Sequence, residues 1–310
     1  MQAEHEDILH SALLATQAGK SLCLISVMET FGSSPRPVGS LLAVAQSGEF
    51  WGSVSGGCIE EELLESLKEN WPQSAEVRLY GESEEERARL QLPCGGCMRL
   101  YVQPVTESLL GDALQALKQR QTVALLSQLD SGQCEIQDCD IWQEHQWDGE
   151  RWLNVLGPRW QLYIVGAGPI SQYLVQLAEL LNIRCVVIDP RPEYAEQWQE
   201  SWAPIYRQYP DDVLAELGVD SHSFIATVSH DPKIDDLAVM YALRSKAAYI
   251  GAMGSVRTSA KRRERLQEHF GFSDRELKKL KAPIGLDIHS KTPAEIAVSI
   301  LADLIAVKNA

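Results

Sequence analysis

The rhythm of apolar and polar positions changes once along this chain, near residue 160. Ahead of that point, amphipathic spacing predicts an opening helix over residues 4 to 18, stopped by Gly19. Residues 21 to 28 are apolar almost throughout and read as a buried strand. Short strands at 41–45 and 49–52, a helix at 59–70, an alternating strand at 98–105, a helix at 108–120 and a strand at 123–129 follow. The acidic run 82–87 reads as a solvated helix start or loop. Residues 134–160, rich in Trp and polar turn residues, read as a hairpin or ordered linker. From Gln161 the pattern becomes strand–helix alternation, the mark of a parallel sheet covered by helices. Strands are predicted at 162–165, 185–188, 224–228 and 248–250, with helices near 170–181, 212–217, 234–244, 256–269 and 293–308. The fold class is therefore α/β: an N-terminal α+β domain over 1–157 and a C-terminal Rossmann-type domain with a parallel sheet over 161–310.

Composition narrows this picture without changing it. A length of 310 residues favours two cores over one. Hydrophobic residues make up 45% and charged residues 23%, which suits a soluble globular protein. No window approaches the roughly 20 apolar residues a membrane helix needs. The acidic start, Gln2 to Asp7, is unlike a basic leader, so a cytoplasmic protein is expected. Seven cysteines, an odd count, fit reduced thiols better than a disulfide framework. A formal net charge of −15 argues against nucleic acid and anionic membrane surfaces as partners. Basic residues gather in one island, 257–265, which carries Arg257, Lys261, Arg262, Arg263 and Arg265.

In the second half, the strand ending at Val165 runs into Gly166-Ala167-Gly168-Pro169 and then a helix. Gly166 permits a tight turn, and Gly168 lets backbone N–H groups approach a phosphate at the helix N-terminus. Ser171 takes the place of a third glycine. Asp189 closes the next strand about 20 residues on, where a carboxylate accepts from a ribose 2′-OH. The turn supports two readings: a phosphate cradle, or architecture in a domain that binds no dinucleotide. Gly254 and Ser255, in the turn that opens the basic helix, are further phosphate candidates, with Lys261 beside them. Arg262, Arg263 and Arg265 read more simply as surface ion pairs. His230 at a strand end could act as an acid, base or ligand contact. Asp231 before Pro232 suits a helix N-cap.

In the first half, three small-residue loops could offer N–H groups, hydroxyls and thiols to a polar ligand: residues 32–36, 55–58 and 94–97. Arg36 adds a fork suited to an oxyanion. Cys94-Gly95-Gly96-Cys97 suggests zinc or redox chemistry. Yet Cys134 and Cys139 are poorly spaced as further ligands, His5 and His10 lie on different helix faces, and a strand follows where a redox pair wants a helix. Thiols that hold a soft metal or relay sulfur fit better, with Cys97 open to being incidental.

Taken in order, these segments resemble the xanthine dehydrogenase accessory family, XdhC/CoxI. The matching stretches are Glu29 to Arg36, Gly52 to Glu60, Cys94 to Gly96, Gly166 to Gly168, Val187 to Arg191, Tyr249 to Ser255, Pro283 to Asp287 and Lys291 to Ala297. The resemblance implies a factor that binds molybdenum cofactor, assists its sulfuration with a cysteine desulfurase, and inserts it into a xanthine dehydrogenase-type molybdoenzyme. A homodimer is expected. Cys58 and Cys94 would face the metal, and Ser33, Ser34 and Arg36 the oxyanion groups. The extra thiol at Cys97 departs from the family pattern. The Rossmann turn would hold the phosphate or nucleotide end of the cofactor. NAD in that turn, as an NAD-dependent oxidoreductase with His230 as proton donor or as a nucleotide-sensing regulatory module, is the competing reading.

Overall fold

The computed structural model describes residues 5–31, 36–57, 59–89, 97–139 and 143–309. The chain divides into two compact units, residues 1–159 and 160–310. Ser33, Ser34, Cys58 and Cys94 lie outside the described residues.

The first unit begins with helix α1 (His5–Gln17), strands β1 (Leu22–Phe31), β2 (Leu41–Ala45) and β3 (Phe50–Gly52), and helix α2 (Glu60–Glu69). Then come β4 (Glu76–Tyr80), α3 (Glu84–Arg89), β5 (Cys97–Val105) and α4 (Glu107–Lys118). Among the described residues the first sheet has the order β3-β2-β1-β5-β4, with all neighbours antiparallel. The unbroken apolar run of β1 has a physical reason, for both its faces are covered. Leu22 and Leu24 pack with Ile8, Leu9 and Leu114 of α1 and α4. Cys23, Ile25 and Val27 pack with Leu63 and Leu67 of α2. A period-2 pattern needs one wet face, and here there is none.

The unit closes with β6 (Val123–Gln128), β7 (Cys134–Asp138), β8 (Gln146–Trp147) and β9 (Arg151–Leu156). They form a second antiparallel sheet, β7-β6-β9-β8. Within the Trp-rich stretch, Trp147 and Trp152 lie on β8 and β9, which pair as a hairpin, one of the two readings the sequence offers. Trp152 is buried, and the indole Nε1 donates to Ser26 Oγ at 2.8 Å, pinning this sheet to β1.

The second unit follows the order β10 (Gln161–Val165), α5 (Pro169–Leu180), β11 (Arg184–Ile188), α6 (Pro192–Ala195), β12 (Ile205–Tyr206) and α7 (Pro210–Leu217). It continues with β13 (Ser223–Thr227), α8 (Pro232–Leu243), β14 (Tyr249–Ala252), α9 (Val256–Phe270), α10 (Asp274–Leu277), β15 (Leu280–Lys281) and α11 (Pro293–Lys308). The parallel sheet has the order β12-β11-β10-β13-β14-β15. This is the doubly wound arrangement, whose order reverses between β10 and β13. Leu162 and Ile164 pack on one face with α5 and α11, and Tyr163 and Val165 on the other with α8. Trp160, ahead of β10, stacks on Phe224 at 4.5 Å, and its carbonyl accepts from Arg184 N at 2.9 Å.

Candidate functional site

In the second unit the glycine turn sits where the sheet order reverses. Gly166 has φ +111°, and a Cβ there would lie 2.5 Å from the Ser229 Cα. Glycine is required both by the dihedral and by this backbone approach. Ser171, fully buried, donates its hydroxyl to the Gly166 carbonyl and keeps α5 close against the turn. Gly168 is the helix N-cap, and a Cβ placed on it would meet nothing within 4 Å. Pro169 at the first helical position has no N–H, so the first-turn donors without an intrahelical acceptor are those of Ile170 and Ser171.

Asp189 lies next to the turn but does not offer its carboxylate outward. It has 0% exposure. Its Oδ2 accepts from Ala167 N at 2.8 Å and Arg191 Nη2 at 2.8 Å. Its Oδ1 accepts from Arg191 N at 3.1 Å and Arg191 Nε at 2.9 Å. The ribose contact expected of Asp189 is thus taken by the protein itself, because Arg191 two residues on folds back over it. The remaining arm of Arg191, Nη1, donates to the Ser229 carbonyl at 3.1 Å.

Beyond Ser229 the polar chain continues inward. Ser229 Oγ donates to Asp235 Oδ1 at 2.6 Å. Burial pushes the Asp235 carboxyl up to about 6, against the opposing pull of the Ser229 hydroxyl and Arg262. Arg262 Nε donates to Asp236 Oδ1 at 2.8 Å, and its Nη1 donates to the Met253 carbonyl at 2.9 Å. Arg262 is therefore a buried cross-brace between α8, α9 and the end of β14, not a surface ion pair. Arg263 donates to the carbonyls of Leu280 at 2.8 Å and Ala282 at 3.0 Å, and Arg265 pairs with Asp236. Of the basic island, Arg257 and Lys261 stay exposed. Gly254 precedes α9, and Ser255 caps it, its Oγ accepting from Thr258 N at 3.1 Å. Asp231 caps α8 in the same way, accepting from Lys233 N at 2.9 Å. Between Ser229 and Asp231, His230 is exposed at φ +63°, a conformation uncommon away from glycine.

In the first unit the loop ahead of Cys58 is organised by a residue that spacing alone does not single out. Glu60 is 8% exposed and accepts five hydrogen bonds from that loop. Oε1 takes Ser53 Oγ at 2.6 Å, Val54 N at 3.1 Å and Ser55 N at 2.9 Å. Oε2 takes Ser55 Oγ and Gly57 N, the latter at 2.9 Å. Burial alone would raise this carboxyl, but the Ser53 and Ser55 donors outweigh it and bring it down to about 2. The N–H groups of Ser55 and Gly57, expected to be on offer to a ligand, are thus already engaged, as is that of Val54.

The other two loops lie largely outside the described residues, but the strands that flank them are paired. Phe31 at the end of β1 pairs with Cys97 at the start of β5. Burial raises the Cys97 thiol, with Glu82 adding to the effect. Nearby, Arg99 pairs with Glu29 and lies over the Trp147 ring at 4.0 Å. Arg36 is half-buried. Gly39, three residues on, packs directly beneath the His145 ring. Burial lowers the pKa of that imidazole, whose Nδ1 accepts from Val155 N at 3.1 Å. Among the described residues no group of three His, Cys, Asp or Glu side chains could hold a metal ion, and no helix is long and apolar enough to cross a membrane.

Comparison with known proteins follows the same two halves. Residues 162–304 match the XdhC Rossmann domain, and residues 15–80 match the XdhC and CoxI family. The molybdenum cofactor insertion chaperone PaoD of Escherichia coli (strain K12) is 27% identical over 312 residues, covering 98% of this chain and 89% of PaoD. A Bacillus subtilis (strain 168) protein named as a probable xanthine dehydrogenase subunit is 23% identical, covering 96% of each chain. A crystal structure described as a xanthine dehydrogenase from Bacillus halodurans shares the fold, with a TM-score of 0.76 at 22% identity over 99% of this chain and 96% of that one. With its two halves matching two parts of one family, this chain belongs to the XdhC and CoxI family.

Proposed function

We propose that this protein binds molybdenum cofactor and inserts it into a xanthine dehydrogenase-type molybdoenzyme, acting as a cofactor chaperone and not as a turnover enzyme. The observation that carries this reading is the likeness to PaoD, a molybdenum cofactor insertion chaperone, over 98% of the chain. The donor set fits the group. Molybdopterin ends in a phosphate, and the N-terminal turn of α5 has open space beside Gly168 and first-turn N–H groups at Ile170 and Ser171 that the helix itself does not use. Gly254 and Ser255 at the start of α9 are a second candidate turn, although its Thr258 N–H is already capped by Ser255 Oγ. At the metal end the candidates are the thiols Cys58 and Cys94, which are soft ligands, with Ser33, Ser34 and Arg36 for its oxyanion groups. When bound, the cofactor would supply the metal centre its client enzyme needs; this chain's part is to hold it and keep water from it.

The finer reading extends to sulfuration support with a cysteine desulfurase, a homodimeric state and a cytoplasmic location. The test is ligand analysis of protein purified without oxygen from cells that make the cofactor. Molybdopterin is expected with the wild-type chain, and its retention should fall at least about tenfold in Cys58→Ala and Cys94→Ala. Equal retention in both variants would refute the thiol assignment, and a wild-type chain free of molybdopterin would refute the function.

A further inference from the structure

The sheet reverses order between β10 and β13, and ligands of doubly wound sheets lie in the crevice at that point. In a dinucleotide-binding sheet of this kind, the acid that ends the second strand accepts hydrogen bonds from a ribose. Here that strand is β11 and that acid is Asp189, whose carboxylate is turned inward on the protein's own donors. Arg191 grips it through Nε at 2.9 Å and Nη2 at 2.8 Å, and Ala167 N adds a further bond at 2.8 Å. The third guanidinium nitrogen reaches the Ser229 carbonyl at 3.1 Å, just past the end of β13. The side chain of Arg191 therefore runs from the end of β11 to the end of β13, and the turn that follows β10 lies between those two ends. The Tyr194 ring covers the guanidinium at 4.0 Å. A planar fork held by a carboxylate, a carbonyl and an aromatic face is fixed in place, because each partner matches a different part of its geometry.

We infer that Arg191 is a specificity-determining residue that occupies the ribose position of the glycine turn and closes it to nicotinamide dinucleotides. With Asp189 fully buried beneath it, the carboxylate has no lone pair to give a 2′-OH. The guanidinium, bound on three sides, is not presented to a 2′-phosphate. The glycine turn is kept for its backbone approach to Ser229, while the part of the fingerprint that reads a nucleoside is internally satisfied. This bears on the same turn as the phosphate contact proposed above, but it does not depend on molybdopterin.

The test is calorimetric titration of the full chain with NAD and with NADP. Wild-type protein is expected to bind either one more weakly than about 1 mM. Arg191→Ala uncovers Asp189 and should tighten NAD binding by at least about tenfold, while NADP stays weak because the freed carboxylate repels its 2′-phosphate. Arg191→Leu, which keeps an apolar body against Tyr194, serves as the second variant if Arg191→Ala does not fold. Micromolar binding of NAD or NADP by the wild type overturns the inference, and so does a folded variant whose NAD affinity is unchanged. Molybdopterin content measured on the same preparation separates the two readings. NAD binding by a chain that also carries molybdopterin overturns only this inference. A chain that carries neither ligand overturns the cofactor reading and supports this one.

Discussion

Replacing Glu60 by Gln tests whether one buried carboxylate holds the loop that precedes Cys58. The change keeps the size and removes the charge, and it turns one acceptor into an amide donor facing Ser55 and Gly57 N–H. The native carboxyl is brought from 4.5 to about 2. At 1.36 kcal/mol per unit, that shift is a contribution of about 3 kcal/mol at neutral pH. The folded pKa lies below the unfolded one, so the contribution is complete above pH 4.5 and is lost as pH falls toward 2. Roughly half of it should be gone by pH 3. Urea denaturation of wild type and Glu60→Gln at pH 7 and pH 3 reads this directly, with amide exchange at Val54, Ser55 and Gly57 locating the effect. A deficit below about 1 kcal/mol at pH 7, or a deficit of the same size at both pH values, would refute the reasoning.

Two further outcomes follow from the second unit. Gly166→Ala combines a positive φ with a clash against Ser229 and should cost about 2 to 5 kcal/mol, whereas Gly168→Ala, open on that side, should cost under about 1 kcal/mol in the same thermal melts. Asp235 has its folded pKa raised above 3.8 to about 6, so the native state holds its proton longer, and stability should decline as pH rises through that window. Asp235→Asn should flatten that decline in denaturation curves between pH 4 and 7; an unchanged slope would show that another group causes it.

The parallel half is the more legible in the sequence. Its strands are buried on both faces and announce themselves as short apolar runs, and each helix between them follows a turn signal. The positions of β10, β11, β13 and β14 accordingly agree with the sequence to within two residues. Strands β12 and β15, two residues each, carry too little pattern to register. In the first unit β4 escapes the pattern because it is an edge strand whose Val77 and Leu79 stay exposed, leaving no inward-facing apolar rhythm. The acidic run that follows it is helical over Glu84–Arg89.

At the candidate site, the glycine turn is visible from spacing, but the fate of its acid is not. Whether Asp189 meets a ligand or Arg191 depends on a side chain two residues away turning back, which no periodicity encodes. The same holds for Glu60. In the sequence it stands only at the end of the Gly52–Glu60 stretch and the start of a helix, yet its carboxylate is claimed by the loop that comes just before it. Arg262 reads as a surface ion pair in the sequence, and only the placement of α8 against α9 shows that it is buried against Asp235 and Asp236.

Trp160 bears on how the chain can be cut. The strand it precedes is central, and a central strand needs neighbours on both sides before its backbone groups are satisfied. The indole rests on Phe224 in the neighbouring strand, and the carbonyl receives Arg184 at the mouth of the other. A fragment that starts at the first residue of β10 would discard both fastenings at once. One that starts two residues before Trp160 would keep them, and so should express as a cooperative folding unit.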